Sequence, residues 1–185
     1  MYFLKNISDE VRLSQTAFHN YKKTVKLVFA AILSSLAAML QSFGGFLPGI
    51  GFFISPLATA PILLCSMFSF PFGIMSYLLT IMLLFILEPT ELIIFPFTTG
   101  LLGLGIGAAF HFFRKRISMI AAGSVFLTLG ITSLLYIFQF PILGPVANGS
   151  FSFIAAGGIL FFSFLYSWLW VDIALLIFRR IKMII

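Results

Sequence analysis

Residues 92–140 read LIIFPFTTGLLGLGIGAAFHFFRKRISMIAAGSVFLTLGITSLLYIFQF, and this stretch decides the fold. It consists of two apolar runs, Leu92–Phe113 and Ile117–Phe140, separated by the basic residues Arg114, Lys115 and Arg116. An α-helix needs about 20 mostly apolar residues to cross the hydrocarbon layer of a bilayer. The stretch therefore predicts two membrane-spanning helices joined by a short basic turn.

Four more apolar runs are bounded by glycine, proline or charged residues, which brings the predicted membrane helices to six. These four are Val25–Phe43, Gly49–Phe68, Phe72–Leu87 and Phe153–Phe178. Between the second and third helices, the tetrapeptide Phe70-Pro71-Phe72-Gly73 predicts a short hairpin, because proline disfavours helix at the residue before it and glycine tolerates a turn.

Composition supports a protein that is embedded in lipid. The chain has 185 residues, of which 61% are hydrophobic and only 9% charged, and its mean hydropathy is +1.16. A soluble domain carries about 25% charged residues. We therefore expect an all-α integral membrane bundle at residues 25–178, preceded by an interfacial segment (1–24) and followed by a basic tail (179–185).

The basic residues predict the orientation of the bundle, because cytoplasmic flanks of membrane helices are enriched in lysine and arginine. Six crossings place every basic residue on one side, so we expect both termini in the cytoplasm. The net charge of +6 fits this rule and does not indicate nucleic-acid binding. The three clusters are Lys5, Arg12, Lys22, Lys23 and Lys26; Arg114, Lys115 and Arg116; and Arg179, Arg180 and Lys182.

Small residues at a spacing of four lie along one face of the first helix. Ala30, Ser34 and Ala38 form this face, with Ala31 and Ser35 beside it. A flat face lets a second helix approach closely in lipid, where packing drives association. The pattern fits a docking surface for a separate membrane subunit and equally fits packing within the chain. Gly103 and Gly107 on the fourth helix, and Gly157 and Gly158 on the sixth, favour internal packing.

Polar side chains in the outer half of the bundle are the candidate substrate-binding residues. They could converge on an outward-facing pocket with apolar walls and a few hydrogen-bonding groups. The alternative is that the hydroxyls bond to their own helix backbone. Glu88 and Glu91 flank an outer loop and are expected to be solvated. The candidates are Gln41, Thr98, Thr132, Tyr136, Gln139 and Asn148, with Thr99 next to Thr98.

The charged and aromatic residues near the inner membrane surface favour structural roles. Asp172 is the only acid inside an apolar run, and we expect it to snorkel or to pair with a terminal arginine such as Arg179. Trp168 and Trp170 fit an aromatic belt at the same depth. Enzyme signatures and metal-ligand spacings are missing from the sequence, so we expect neither catalysis nor a cofactor.

The chain resembles the substrate-binding S components of energy-coupling factor (ECF) transporters. The resemblance rests on size, six crossings, the face formed by Ala30, Ser34 and Ala38, the proline-bearing stretch from Ile54 to Pro61, and Phe70-Pro71-Phe72-Gly73. It implies capture of a vitamin or related small nutrient at the cell membrane. It also implies a transmembrane coupling subunit, which the small-residue face would contact, and two cytoplasmic ATPases that bind the ATP.

A second hypothesis is a membrane scaffold or regulator that does not transport. The stretch Leu101 to Arg116 resembles the YybS-like family of polytopic membrane proteins. The transport hypothesis predicts a bound small molecule in the outer half, and the scaffold hypothesis predicts none. Since serine, threonine, tyrosine, asparagine and glutamine are the main polar groups there, we expect a neutral, partly aromatic substrate.

Overall fold

A computed structural model describes residues 15–16, 18–47, 49–139 and 153–182, without the side chains of 154 and 178–182. Within these ranges the chain forms six long helices, each long and apolar enough to cross a membrane, so the predicted all-α membrane bundle is confirmed. Asn148, most of the interfacial segment and the side chains of the basic tail lie outside the described residues. The helices are α1 (Lys23–Phe46), α2 (Gly51–Phe68), α3 (Phe70–Leu87), α4 (Glu91–Phe112), α5 (Arg116–Tyr136) and α6 (Phe153–Lys182).

The two ends of the bundle differ in charge. One end, the basic end, holds the start of α1 and the turn between α4 and α5, with the exposed residues Lys22, Lys23, Arg114 and Lys115. The other end, the cavity end, holds the last turns of α1 and the first turns of α2 and α4.

The connection between α2 and α3 is tighter than the predicted hairpin. Ser69 alone separates the helices and has extended backbone angles (φ −157°, ψ 117°). Phe70 and Pro71 already belong to the first turn of α3, where the missing N–H of proline costs no hydrogen bond. Gly73 lies against Ser66 of α2, and any Cβ at this position would clash with it.

Two helices are interrupted near the cavity end. In α2, the segment Ser55–Ala58 is a 3₁₀ helix that begins next to Pro56. In α4, the helix breaks at Thr98 (φ −118°, ψ −97°), two residues after Pro96. Irregular backbone at membrane depth is tolerated where protein covers it or where it lines a cavity.

Helix α4 packs closely on α2 through glycines. A Cβ at Gly103 would lie 2.9 Å from the carbonyl oxygen of Thr59, and a Cβ at Gly107 would clash with Ser66. This pair packs inside the bundle, as predicted. Gly157 and Gly158 of α6 do not, because nothing described lies within 4 Å of a Cβ built on either one.

The small-residue face of α1 is covered by the chain itself. Ala30, Ser34 and Ala38 have no exposed area. The Ser34 hydroxyl contacts that of Ser76 on α3 (2.8 Å), and the Thr80 hydroxyl oxygen lies 3.3 Å from the Ser34 carbonyl oxygen. Of the two interpretations left open by the sequence, internal packing describes this face. A separate subunit could reach it only if α3 moved away.

Asp172 forms an ion pair with Arg116, and the side chain of Arg179, the partner that the sequence suggested, lies outside the described residues. Arg116 is the first residue of α5 and is buried, so the pair fastens α5 to α6 near the basic end. Trp170 is buried in the core close by, whereas Trp168 is exposed. Of the two tryptophans, only Trp168 is placed as an aromatic belt requires.

The short helical stretch before α1 is anchored to the basic end. Phe18 is buried, and its ring centroid lies 5.5 Å from that of Phe29 and 5.3 Å from that of Phe68. Gln15 donates from Nε2 to the carbonyl oxygen of Met67 (2.8 Å). These contacts place the stretch against the last turn of α2.

Candidate binding cavity

A cavity of about 770 Å³ lies at the cavity end, between α1, α2, α4, α5 and α6. Its volume falls within the range of about 300–1,000 Å³ that is typical of small-molecule sites. The lining residues are Gln41, Phe52, Ser55, Pro56, Ile94, Thr98, Thr99, Leu127, Ile131, Ala155, Gly158, Ile159, Phe162 and Tyr166.

Apolar and aromatic side chains make up most of the cavity wall. Leu127 and Ile131, one turn apart on α5, form one side, and Ile159, Phe162 and Tyr166 on α6 form another. Such walls favour a ligand whose body is apolar, since burial of apolar surface supplies most of the binding free energy.

The two helix interruptions both belong to the cavity wall. Ser55 and Pro56 line it from the 3₁₀ segment of α2, and Thr98 lines it from the break in α4. The prolines beside these breaks explain why the helices are irregular at this depth.

A buried hydrogen-bond chain lies at the polar side of the cavity. Thr99 donates from Oγ1 to Gln41 Oε1 (2.7 Å), and Gln41 donates from Nε2 to Glu91 Oε2 (2.7 Å). Thr99 and Gln41 both line the cavity, although Gln41 has no exposed area and Thr99 retains 8%. Glu91 is outside the lining, so the chain leads from the cavity wall into the protein.

Glu91 is buried, with 5% of its area exposed, and not solvated as the sequence suggested. It is the first residue of α4, where the partial positive charge of the helix N-terminus stabilises a carboxylate. Gly44 of α1 lies against it, and any Cβ there would clash with Glu91 Oε1. Glu91 thus has a close fit to α1 and a defined partner in Gln41.

The predicted binding residues fall into two groups. Gln41 and Thr98 line the cavity, although the Thr98 hydroxyl also donates to the carbonyl of Ile94 (2.8 Å). Thr132, Tyr136 and Gln139, further along α5 and beyond its end, are outside the lining. Thr132 donates to the carbonyl of Thr128 (2.6 Å), which fits the backbone-bonding alternative. Substrate binding by any of these residues stays a prediction.

Three polar residues at or behind the cavity wall, Ser55, Tyr166 and Glu91, were not among the predicted binding residues. Ser55 stands between Ile54 and Pro56 and gave no periodic signal. Tyr166 follows Ile159 and Phe162 at helical spacing, so a search for one polar group on an apolar face of α6 would have found it. Glu91 was set aside because its place next to a loop suggested solvent.

Gly158 forms an open part of the α6 wall. A Cβ at this position would meet nothing described within 4 Å, and the same is true of the neighbouring Gly157, which does not line the cavity. A larger side chain at residue 158 would therefore enter the cavity without disturbing a helix contact.

A second and more open cavity of about 550 Å³ lies at the basic end. His111 lies in its wall, with Nε2 2.8 Å from the carbonyl oxygen of Ser66, and His19 faces it from the N-terminal stretch. Across the described part of the chain, no three His, Cys, Asp or Glu side chains are grouped as a metal site requires.

The fold and this site define a multi-pass membrane protein of six helices with an internal cavity of ligand size. No protein-family model, curated protein or solved structure matches the chain. The function therefore has to follow from the geometry of the cavity and from the sequence pattern.

Proposed function

We propose that this protein is the substrate-binding S component of an ECF-type transporter and captures a small nutrient in the cavity between α1, α2, α4, α5 and α6. The observation that carries the proposal is the cavity itself: about 770 Å³, with largely apolar walls and a small polar side built on Gln41, Thr98 and Thr99. A protein that served only as a scaffold would have no need of such a space.

The position of the cavity supports uptake from outside. It lies at the end of the bundle opposite the basic residues, and the positive-inside rule places that end at the external face of the cell membrane. A nutrient arriving from the medium would meet this end first. ATP hydrolysis and release to the inside would then be the work of a coupling subunit and two ATPases.

Contact with the coupling subunit would use the uncovered side of α1. Ala30, Ser34 and Ala38 are covered by the chain's own helices, whereas Ala31 and Ser35 are exposed beside the large apolar residues Ile32 and Leu36. The partner proposed here would therefore approach α1 from the lipid-facing side.

The test is native mass spectrometry of the purified wild-type protein together with two glycine variants. We expect a bound metabolite in stoichiometric amount on the wild-type protein. Gly158→Leu should lose it, because the leucine side chain enters the cavity. Gly157→Leu is the matched control and should keep the metabolite. It makes the same glycine-to-leucine change in α6, at a position outside the cavity wall.

Two results would contradict the proposal. One is a wild-type protein that carries no small molecule after mild purification from its native membrane. The other is equal ligand content in the two leucine variants, with both folded by circular dichroism. Either result would favour the scaffold hypothesis.

A further inference from the structure

The direction of the hydrogen bonds at the polar side of the cavity limits which ligand group can bind there. Thr99 uses its only hydroxyl proton in the bond to Gln41 Oε1, and Thr98 uses its own in the bond to the carbonyl of Ile94. A hydroxyl group has one donor and two acceptor lone pairs. Both threonines therefore offer acceptors, and no donors, to a ligand in the cavity.

The orientation of the Gln41 amide is what fixes the Thr99 proton. Gln41 donates from Nε2 to Glu91 Oε2, which accepts. The carbonyl oxygen of the amide must then point the other way, toward Thr99, which has to donate. The chain Thr99–Gln41–Glu91 runs in one direction, with its acceptor end at the cavity and the Glu91 carboxyl group at its buried end.

Successive hydrogen bonds in such a chain polarise one another in a medium of low dielectric. The Thr99 oxygen is accordingly a better acceptor than an isolated hydroxyl. A ligand carboxylate or phosphate placed against Thr98 and Thr99 would face lone pairs with no hydroxyl proton left to donate, and would be repelled. A ligand N–H or O–H would complete the chain.

We propose that the ligand, on an otherwise apolar body, carries an N–H or O–H donor and no negative charge, and places that donor on Thr99. Thr99 would be the residue that contacts the ligand, and Glu91 a positioning residue that acts through Gln41. This inference rests on the proposed function, since it takes the cavity as the ligand site.

Two aromatic probes of nearly identical shape test the donor requirement. Indole carries one N–H on an apolar, fused two-ring system, and benzofuran has in place of that N–H an oxygen that cannot donate. Their affinities would be measured by isothermal titration calorimetry or ligand-detected NMR on the full chain in lipid nanodiscs. We expect wild-type protein to prefer indole by about fivefold, the usual contribution of one hydrogen bond.

Four variants identify the residues responsible. Thr99→Val should bring the affinity ratio of the two probes close to one, and Thr99→Ser, which keeps the hydroxyl, should preserve it. Glu91→Gln should lower the ratio, because a neutral amide can donate as well as accept and no longer fixes Gln41. Thr132→Val is the matched control, since this hydroxyl bonds its own backbone and lies outside the cavity lining.

Thermal unfolding of every variant shows that the comparison is made on folded protein. The inference is overturned if wild-type protein binds both probes equally, binds neither, or keeps its preference in Thr99→Val. Its failure is distinct from that of the proposed function. A bound native ligand that Gly158→Leu displaces would leave the cavity as the binding site even where indole has no advantage over benzofuran.

Discussion

Serine and threonine side chains in this bundle have different partners, and the difference decides what each can do. Several of them donate to the carbonyl four residues earlier, as Ser42, Thr80 and Thr132 do. Thr99 does not, because the break at Thr98 leaves it at the start of a new helical segment, turned toward α1. Thr99, the proposed ligand contact, is therefore set apart by backbone geometry and not by residue type.

Ser34 and Ser35 of α1 are neighbours with opposite environments, which makes them a matched pair. Ser34 is fully buried against α3, whereas Ser35 is exposed. Ser34→Leu should lower the free energy of unfolding by about 1–3 kcal/mol through overpacking. That loss corresponds to a decrease in Tm of about 5 °C in a chain of this size. Ser35→Leu should change Tm little, because its side chain would face lipid.

Thermal denaturation in one detergent, followed by circular dichroism, measures both serine variants. An equal loss of stability in the two would mean that Ser34 is not packed as described. If Ser34→Leu left the fold intact and abolished assembly with a partner, the result would support a docking role for Ala30, Ser34 and Ala38.

At the scale of the helix, the hydrophobic runs predicted the helix bounds well, whereas the polar patterns did not predict which side chains meet. All six helices were found within a few residues of their bounds, because the length of an apolar run is dictated by the thickness of the bilayer. The sequence did not predict the break in α4 at Thr98. Pro96 alone does not show toward which neighbouring helix the Thr98 and Thr99 side chains will point. That depends on α1 and on the hydrogen bond that Gln41 offers there.

The same limit explains why the sequence left the partner of the α1 face open and why the predicted packing of Gly157 and Gly158 was wrong. A stripe of small residues on α1 predicts close approach by some helix, and the sequence cannot show whether that helix belongs to the same chain. Gly157 and Gly158 resemble Gly103 and Gly107 in the sequence, yet only the second pair meets a neighbouring helix. Residue spacing along one helix contains no information about its partner.

The contact between α2 and α4 should be sensitive to added volume. Gly107→Ala places a methyl group against Ser66, and relief requires the two helices to separate, since the obstacle is next to the α2 backbone. We expect a loss of about 1–3 kcal/mol in unfolding free energy. Gly157→Ala, which meets open space, is the control and should be neutral or slightly stabilising because alanine favours helix.

Denaturation with sodium dodecyl sulfate in mixed micelles gives the free energies of unfolding for this pair. Gly107→Ala and Gly157→Ala with the same stability would show that α2 and α4 do not make the close contact described. The prediction does not depend on any ligand, so it tests the fold independently of the proposed transport function.

At the scale of the whole molecule, charge and cavity occupy opposite ends. The described basic residues gather where α1 and α5 begin, and the cavity opens where α1 ends and α2 and α4 begin. This polarity gives the bundle a direction, which uptake requires and which the positive-inside rule converts into an orientation.

The orientation is testable by cysteine labelling, because the chain has a single cysteine that is shielded. Cys65 is buried, and its thiol donates to the carbonyl of Phe72 (3.3 Å), so wild-type protein should react little with a membrane-impermeant maleimide. Lys115→Cys and Thr90→Cys each place a thiol at an exposed position, at the basic end and the cavity end respectively.

In intact cells we expect Thr90→Cys to be labelled and Lys115→Cys to be protected until the membrane is permeabilised. The reason is that lysine and arginine flanks are retained on the cytoplasmic side during insertion, so the turn between α4 and α5 should face inward. The opposite pattern, with residue 115 reacting first, would place the cavity inside the cell. A cavity in that position could not receive a nutrient from the medium, and the uptake proposal would have to be abandoned even if the cavity held a ligand.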